Sequence, residues 1–584
     1  MTKKWPLFKP RHTGTVVSGI LEDMKVPALS LLFLILFSFC RPGPVMAAPL
    51  VDEVREQLRF LLEDAAPAVE LPGIRQLLVN PRLRQFYRQR NHVPAWMNNL
   101  GLTTMAHQLL DVLRASGDKG LCSDHYHLQE LEPLVRYEAD SLRAGVLFDA
   151  RYQALIDLLL TDAYFGYAVD ISGGRIPPVA GQRRKGLDRL IPYLEKALGS
   201  GQITAGLERL EPRQPGYLAL RDELQRLRAL SAYGGWPTVP AGEVLRPGMR
   251  DERLPVLRNR LFFGGDLQPY AAWDEKNYGP ETEQAVRRFQ LRHGLREDGV
   301  LGTMTLAELN LPVEARIRQI SYNLQRWRSE PDSFGGRSLQ VNIAAFRLDV
   351  VENGETVMSM PVVVGTPYRK TPNFSAQLRY LEFAPFWYVP KTILREDKLP
   401  IIRRDPGWLT RHHYEILSWV GKGERLLDPE KLDWSKIHAD NFPGILRMRP
   451  GPWNPLGRVK FMFPNRYAVY LHDTDSPQLF DRNARLFSSG CIRVERPLDL
   501  AEYLLQSLDG WDCDRILAAM NGDRTLKVDL LEPIPVHIFY WTAWVDSAGR
   551  VQYRSDIYQR DADLEIVWEK RLPQQDQAPQ LAGQ

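Results

Sequence analysis

Apolar residues spaced three and four apart run through the chain from residue 50 to about 235. Val54, Leu58, Leu61 and Leu62 make one stripe, and Leu155, Leu158, Leu159 and Ala163 another. That spacing lines one face of a helix, so 50–235 reads as a helical domain. Phe86-Tyr87, Pro94-Ala-Trp96 and Arg175-Ile-Pro-Pro178 are its aromatic and proline landmarks, read as pins between helices and loops. Gly234 to Pro247, rich in Gly and Pro, reads as a linker. Over 251–311, Leu254, Leu257 and Leu261 form one helical stripe, the segment from Pro280 to Gln290 a second, and Thr305 to Asn310 a third. Pro280 just inside a helix start and Gly294 just past its end follow the usual asymmetry of helix termini.

From 335 to 546 the period becomes two. Leu339, Val341 and Ile343 alternate with polar positions, and Phe346–Val351 joins Thr356–Val364 through Asn353-Gly354, a hairpin signal because both residues tolerate positive φ. Further strands are expected at Tyr467–His472 and Val536–Val545, and an amphipathic helix at Pro497–Leu508. The stretch 391–449, with Trp408, Trp419 and Trp434, shows no steady strand period and reads as an insertion into this β-rich domain. Segments of that length serve as lids, binding segments or disorder, and the aromatic content argues against disorder. Residues 547–584 are expected to add a strand and a polar tail. The fold class expected is multidomain α+β.

At 584 residues the chain should hold about three to five domains, on a prior of roughly 150 residues each. With 44% hydrophobic and 25% charged residues it is neither wholly disordered nor polytopic in a membrane. A net charge of +4 without a long basic run gives no nucleic-acid footprint. Val26–Cys40 is a short apolar run behind Lys25, with small residues at Ala47 and Ala48, so residues 1–48 read as a signal peptide or a membrane anchor. The start is set either at Met1 or at Met24. Either way the rest is exported.

Four cysteines occur, Cys40, Cys122, Cys491 and Cys513, with no zinc-ligand spacing; no metal or cofactor is expected. Three remain beyond the export segment, so at least one is unpaired within the chain. Cys122 and Cys513 are either bonded to one another or separately buried. Cys491 follows Ser488-Ser489-Gly490, and His472 lies 19 positions upstream. A cysteine nucleophile needs a partner that takes its proton or holds it as thiolate, and imidazole titrates in the right range. Gly490 permits a tight turn whose N–H groups could converge on an oxyanion. A buried, inert cysteine is the competing reading.

The order Ala285-Val-x-x-Phe289-Gln290, Gly294-Leu-x-x-Asp298-Gly299 and Thr305-Leu-x-x-Leu309-Asn310 resembles the peptidoglycan-binding domain of cell-wall enzymes. Most of these positions are core or turn residues, so wall binding and structural docking both stay open. His472-Asp-Thr474, Phe480, Arg485 and Ser489-Gly-Cys-Ile-Arg493 resemble the signature of the L,D-transpeptidase (YkuD) catalytic domain. Phe383–Pro390, the insertion, Arg449-Pro-Gly-Pro452, Asn454–Phe461, Pro533–Val536 and Thr542–Asp546 resemble the large YcbB-type enzymes of Gram-negative bacteria. The resemblance implies that Cys491 attacks a tetrapeptide stem, expels D-alanine and passes the acyl group to a diaminopimelate amine, giving 3-3 crosslinks. It implies His472 as base and Gly490, Cys491 and Tyr470 as oxyanion donors. Arg493, Ser489, Trp387 and Thr474 are the implied substrate contacts, with a structural salt bridge as the other role for Arg493 and strand packing for Trp387. The insertion would be a capping subdomain that excludes water. Carbapenem capture, a periplasmic location and other cell-wall synthesis proteins as partners belong to the same implication. Hydrolysis, or attachment to a lipoprotein lysine, is compatible with the same acyl-enzyme, and a noncatalytic wall-binding scaffold is a separate alternative. Many small relatives have Gly after the histidine and His before Gly-Cys; here Asp473 and Ser489 stand in those places. Asp473, adjacent on a strand, should point away from His472.

Overall fold

The computed structural model describes residues 50–569 apart from 64–67, 72–73, 79–80, 146–148, 174–188, 270–274 and 421–422. The export segment, the Arg175–Pro178 landmark and the tail 573–584 lie outside the described residues. Among the described residues no helix is long and apolar enough to cross a membrane.

The helical front is built around one helix, Ala150–Gly173, buried on nearly all sides. Its neighbours bury the predicted stripe Val54, Leu58, Leu61 and Leu62 of Leu50–Glu63, the landmark pair Phe86 and Tyr87 of Pro81–Gln89, and Leu109, Leu110 and Leu113 of Thr104–Arg114. A buried carboxylate survives in this core because every lone pair is used. Asp157 accepts from the Tyr87 hydroxyl at 2.5 Å and from the amides of Ala95 at 3.0 Å and Trp96 at 2.8 Å. The Trp96 indole N–H donates to Thr161 at 2.8 Å. The Phe86-Tyr87 and Pro94–Trp96 landmarks are thus the two sides of one polar clamp.

Two boundaries differ from the expectation. The last helix of the front, Pro215–Ala232, turns away from this core. Its Tyr217, Leu220 and Leu224 pack with Ile320, Leu324 and Trp327 of the helix Val313–Arg328 and with Trp541 and Tyr553 near the C-terminus. The expected linker is strapped down: Val239 and Leu245 are buried in the core of the following module, and Val239 exchanges two hydrogen bonds with the Asn310 side chain at 2.9 and 2.8 Å. Gly and Pro here mark an irregular path, not a free one.

The module itself has the three expected helices, Leu254–Phe263, Pro280–Arg292 and Thr303–Leu309. Gln290 explains one of its recurring residues: its side chain accepts from Gly299 N at 2.8 Å and donates to Val300 O at 3.0 Å, locking the turn. Arg292, paired with Asp266 at 2.7 Å, also donates to Val551 O at 2.8 Å and so ties the module to the C-terminal hairpin of Ala543–Val545 and Val551–Tyr553.

Nine strands form the catalytic sheet. Their order is Leu486–Ser488, Glu355–Gly365, Ile492–Val494, Leu471–His472, Val459–Met462, Phe374–Phe383, Leu526–Phe539, Arg337–Asn342 and Arg347–Glu352. Arg347–Glu352 also pairs with Glu355–Gly365 through the Asn353-Gly354 turn, where φ is +52° and +89°, so eight of the strands close into a ring. Closure removes the sheet edges and encloses Leu339, Val341, Leu381, Phe461, Leu471 and Ile492. The helix Pro497–Leu505 packs Leu500, Ala501, Leu504 and Leu505 on this core. A final helix, Arg560–Glu569, stands where only a strand and polar tail were expected.

The insertion is more regular than its sequence suggests. Tyr414–Val420, Gly423–Leu427 and Ile445–Met448 join Trp387–Tyr388 in a separate four-stranded antiparallel sheet. It has its own core, with Trp387, Leu399, Ile402, Tyr414, Ile416, Trp434, Leu446 and Met448. Short strands with one mixed face gave the alternation little length in which to show.

Replacing Asp157 by Ala strands the Ala95 and Trp96 amides in the core, while the Tyr87 hydroxyl keeps the residue 157 carbonyl and Thr161. The expected loss is about 3 kcal/mol, seen as lost hydrogen-exchange protection at Ala95 and Trp96. Burial pushes the Glu330 carboxyl, just past Val313–Arg328, up to about 8. A raised acid favours the folded state while protonated, so stability should fall as pH rises from the ordinary carboxylate range to about 8. Glu330→Gln should flatten that decline in thermal melts, gaining most on the alkaline side.

Candidate active site

The register of two short strands builds the site. Leu471 pairs with Ile492 and His472 with Arg493 in parallel, and the two inward residues Leu471 and Ile492 are fully buried. Side chains alternate along a strand, so Tyr470, His472, Cys491 and Arg493 share the opposite face. The next pairings extend the row: Lys460 lies opposite His472, and Glu382 opposite Lys460. Across four strands the face therefore reads Glu382, Lys460, His472, Arg493.

That row sets the protonation of the histidine. Burial, then the charge of Arg493, with Lys460 contributing less, pushes His472 down to about 3. The ring is neutral at any ordinary pH. Its Nδ1 lies 2.5 Å from the Asp473 carbonyl, which can only accept, so the proton sits on Nδ1 and Nε2 keeps the lone pair. The Asp473 carboxylate points away, as expected for its place on the strand, and accepts from Arg458 N at 2.8 Å and Thr474 N at 2.7 Å. Gly457 leaves it room: a Cβ there would fall 2.3 Å from the Asp473 carboxyl carbon. Asp473 thus orients His472 through its main chain.

Tyr467–Tyr470, expected as strand, is not one; the strand is only Leu471–His472. Asn465 is the reason. Its Oδ1 accepts from Tyr467 N and Val469 N, its Nδ2 donates to Phe463 O and Val469 O, and Ala468 turns to φ +53°. The irregular backbone presents the Ala468 carbonyl to the thiol, 3.8 Å from Cys491 Sγ. Burial pushes the Cys491 thiol up, while Tyr470, through both its main chain and its hydroxyl, and the charges of Lys460 and Arg493 pull the other way. Thiol and imidazole are therefore both neutral at rest, not a thiolate–imidazolium pair.

Gly490 adopts φ +116°, a conformation that favours glycine, while the space around it would admit a Cβ. Its N–H is already given to Ser488 Oγ at 3.1 Å, and Ser488 in turn donates to Cys491 O at 2.5 Å. That N–H thus braces the loop, while Tyr470 hydrogen-bonds the sulfur through its main chain and its hydroxyl. Ser489 is exposed and its Oγ accepts from Arg369 at 3.0 Å. Thr474 Oγ1 accepts from Arg493 Nη1 at 3.3 Å, while Arg493 Nε is buried without a partner. Trp387 is packed in the core of the insertion, the same core against which Tyr470 rests. Cys122 and Cys513 are both free thiols, Cys122 half-buried and Cys513 exposed, so they are neither bonded to one another nor both buried.

Sequence reasoning missed Lys460, Glu382 and Ser488. Lys460 donates to Glu382 at 2.6 Å and lies 4.9 Å from the centre of the Tyr470 ring. Strand pairing reveals Lys460 and Glu382, while the role of Ser488 shows only in its hydrogen bonds with Gly490 N and Cys491 O.

Residues 336–529 match the L,D-transpeptidase catalytic domain of the YkuD family. The chain carries an L,D-transpeptidase catalytic domain. Residues 81–224 match a scaffold domain and 268–309 a "putative peptidoglycan binding domain". This L,D-transpeptidase domain is preceded by both, in a multidomain α+β architecture. The chain is 35% identical over 260 residues to a Haemophilus influenzae protein named "Putative L,D-transpeptidase", a match that covers 44% of this chain and spans about half, 51%, of that relative. Among solved structures, an L,D-transpeptidase from Xylanimonas cellulosilytica is 17% identical, covering 51% of this chain and 99% of that one, with a TM-score of 0.17. One from Stackebrandtia nassauensis is 16% identical, covering 52% and 96%, with a TM-score of 0.19.

With a neutral thiol, alkylation of Cys491 should accelerate about tenfold per pH unit from neutral pH upward. Peptide mapping in a Cys122→Ser, Cys513→Ser background follows it; a plateau at weakly acidic pH would reveal a thiolate–imidazolium pair instead.

Proposed function

We propose that the protein is an extracytoplasmic, cysteine-dependent L,D-transpeptidase that forms 3-3 crosslinks in peptidoglycan. The observation that carries this reading is the outward row of the catalytic sheet, in which a neutral imidazole, held at Nδ1 by the Asp473 carbonyl, shares a face with the Cys491 thiol inside a domain of this family. A neutral pair suits a nucleophile that is deprotonated only as it attacks. His472 takes the thiol proton as the sulfur adds to the stem carbonyl. The Tyr470 hydroxyl steadies the oxyanion, with the Cys491 N–H as second donor. The C–N bond to D-alanine breaks, the proton passes to the leaving amine, and a thioester remains. A diaminopimelate amine then attacks, the C–S bond breaks, and the amine's proton returns to sulfur through His472.

Arg493 suits a substrate carboxylate, since its Nε has no partner within the protein and its fork is planar. Stem peptides with a tetrapeptide donor are the substrate of this reading, and the domain at 268–309 supports contact with the wall polymer. The division into a helical scaffold at 50–235, a wall-binding module at 251–311 and a catalytic domain at 335–546 belongs to the same proposal, as does export directed by 1–48.

Purified protein lacking residues 1–48 should convert tetrapeptide muropeptides into 3-3 dimers, read by mass spectrometry, with Cys491→Ala lowering the rate at least about a thousandfold. Identical products from both proteins would refute the reading. Tripeptides in place of dimers would make it an L,D-carboxypeptidase.

A further inference from the structure

Arg369 lies in the loop between the strands Glu355–Gly365 and Phe374–Phe383, and its guanidinium joins two other parts of the catalytic domain. Nη1 donates to Asp397 Oδ2 at 2.8 Å and to Ser489 Oγ at 3.0 Å; Nη2 donates to Asp397 Oδ1 at 3.1 Å and to Glu396 Oε2 at 2.5 Å. Glu396 and Asp397 sit on the π-helical turn Leu394–Lys398 near the start of the insertion. The same turn is seated in the insertion by Lys398, whose Nζ lies 5.6, 5.4 and 5.5 Å from the ring centres of Trp387, Trp408 and Tyr414.

The Arg369 loop also grips the nucleophile loop from below. Thr371 Oγ1 donates to Gly490 O at 2.9 Å and accepts from Gly365 N at 2.9 Å. On the other flank Tyr470 packs against the core of the insertion as well as that of the barrel. The insertion therefore meets the Cys491 loop on two sides, at Tyr470 by apolar packing and at Ser489 through a guanidinium with two carboxylates.

We propose that Arg369 is a positioning residue that selects the acceptor of the acyl group, by latching the insertion over the thioester so that an amine, and not water, completes the reaction. This rests on the transpeptidase reading. Attack by the amine breaks C–S, forms C–N and returns the amine's proton to sulfur through His472. Attack by water breaks the same bond, forms C–O and yields a tripeptide acid, a proton from water going to sulfur. Both routes use the same thioester and the same base, so what separates them is access of water to the carbonyl. The Arg369 side chain is 26% exposed, that of Asp397 43% and that of Glu396 56%, so the latch is weak enough to open for a stem peptide.

The test measures dimer and tripeptide products, and total D-alanine released, from tetrapeptide muropeptides. Arg369→Ala should lower the dimer-to-tripeptide ratio roughly three- to fivefold, the factor an ion pair of this exposure represents, with total D-alanine release within about twofold of wild type. Reversing the pair, Arg369→Asp with Asp397→Arg, should restore part of the ratio, which a merely structural role would not do. Should Arg369→Ala fail to fold, Asp397→Asn reads the same contact from the insertion. An unchanged ratio with intact D-alanine release overturns the latch alone. Absence of D-alanine release from wild type overturns the transpeptidase reading and the latch with it.

Discussion

Two residue pairs of one parallel strand pair, Leu471 with Ile492 and His472 with Arg493, build the candidate site, because they place on one face residues that lie 19 positions apart. A slip of one residue would send His472 into the apolar core and Leu471 to the site. Several separate features hold the register. Leu471 and Ile492 are anchored inside the closed ring, Val459–Met462 pairs on one side, and Glu355–Gly365 on the other. The ring closes only because Asn353-Gly354 turns tightly enough to bring Arg347–Glu352 alongside Glu355–Gly365. A turn far from the thiol is thus part of what aligns it.

The same register decides electrostatics. Burial first, and then the charges of Arg493 and, less, Lys460 on either side, keep the imidazole of His472 neutral. A histidine backed by Asp or Glu would be held closer to its ordinary range and better able to keep a proton. Here the acceptor behind the ring is the Asp473 carbonyl, which fixes the tautomer without raising basicity as a charge would.

What could be read from the sequence follows a physical division. Cys491, His472 and Gly490 were legible because their chemistry is local: a glycine at positive φ beside a thiol, with a base at a strand end. The Asn353-Gly354 hairpin and the three helices of 251–311 were legible because turn and cap preferences act within a few residues. Lys460 and Glu382 were not, since their roles arise from pairing between strands distant in sequence; nor was Ser488, because the residue type does not say that its hydroxyl bridges Gly490 N and Cys491 O. Tyr467–Tyr470 looked like strand because its apolar pattern fits one, and the four hydrogen bonds of the Asn465 side chain override it. The helix Pro215–Ala232 carries a stripe that predicts a helix but not which core receives it; Trp327 and Trp541, over a hundred and three hundred residues on, decide that.

The resting neutrality of Cys491 bears on how long such a site survives. Oxidants attack thiolates far faster than thiols, and the first product, a sulfenic acid, advances to irreversible acids or condenses with another thiol. A permanently ionised sulfur in oxidising surroundings would be spent between substrates, with Cys513, exposed near Glu502, as a ready partner in a neighbouring molecule. Burial and the low basicity of His472 favour the protonated sulfur, so on the proposed function the arrangement that times its ionisation also shields it from oxygen chemistry between substrates.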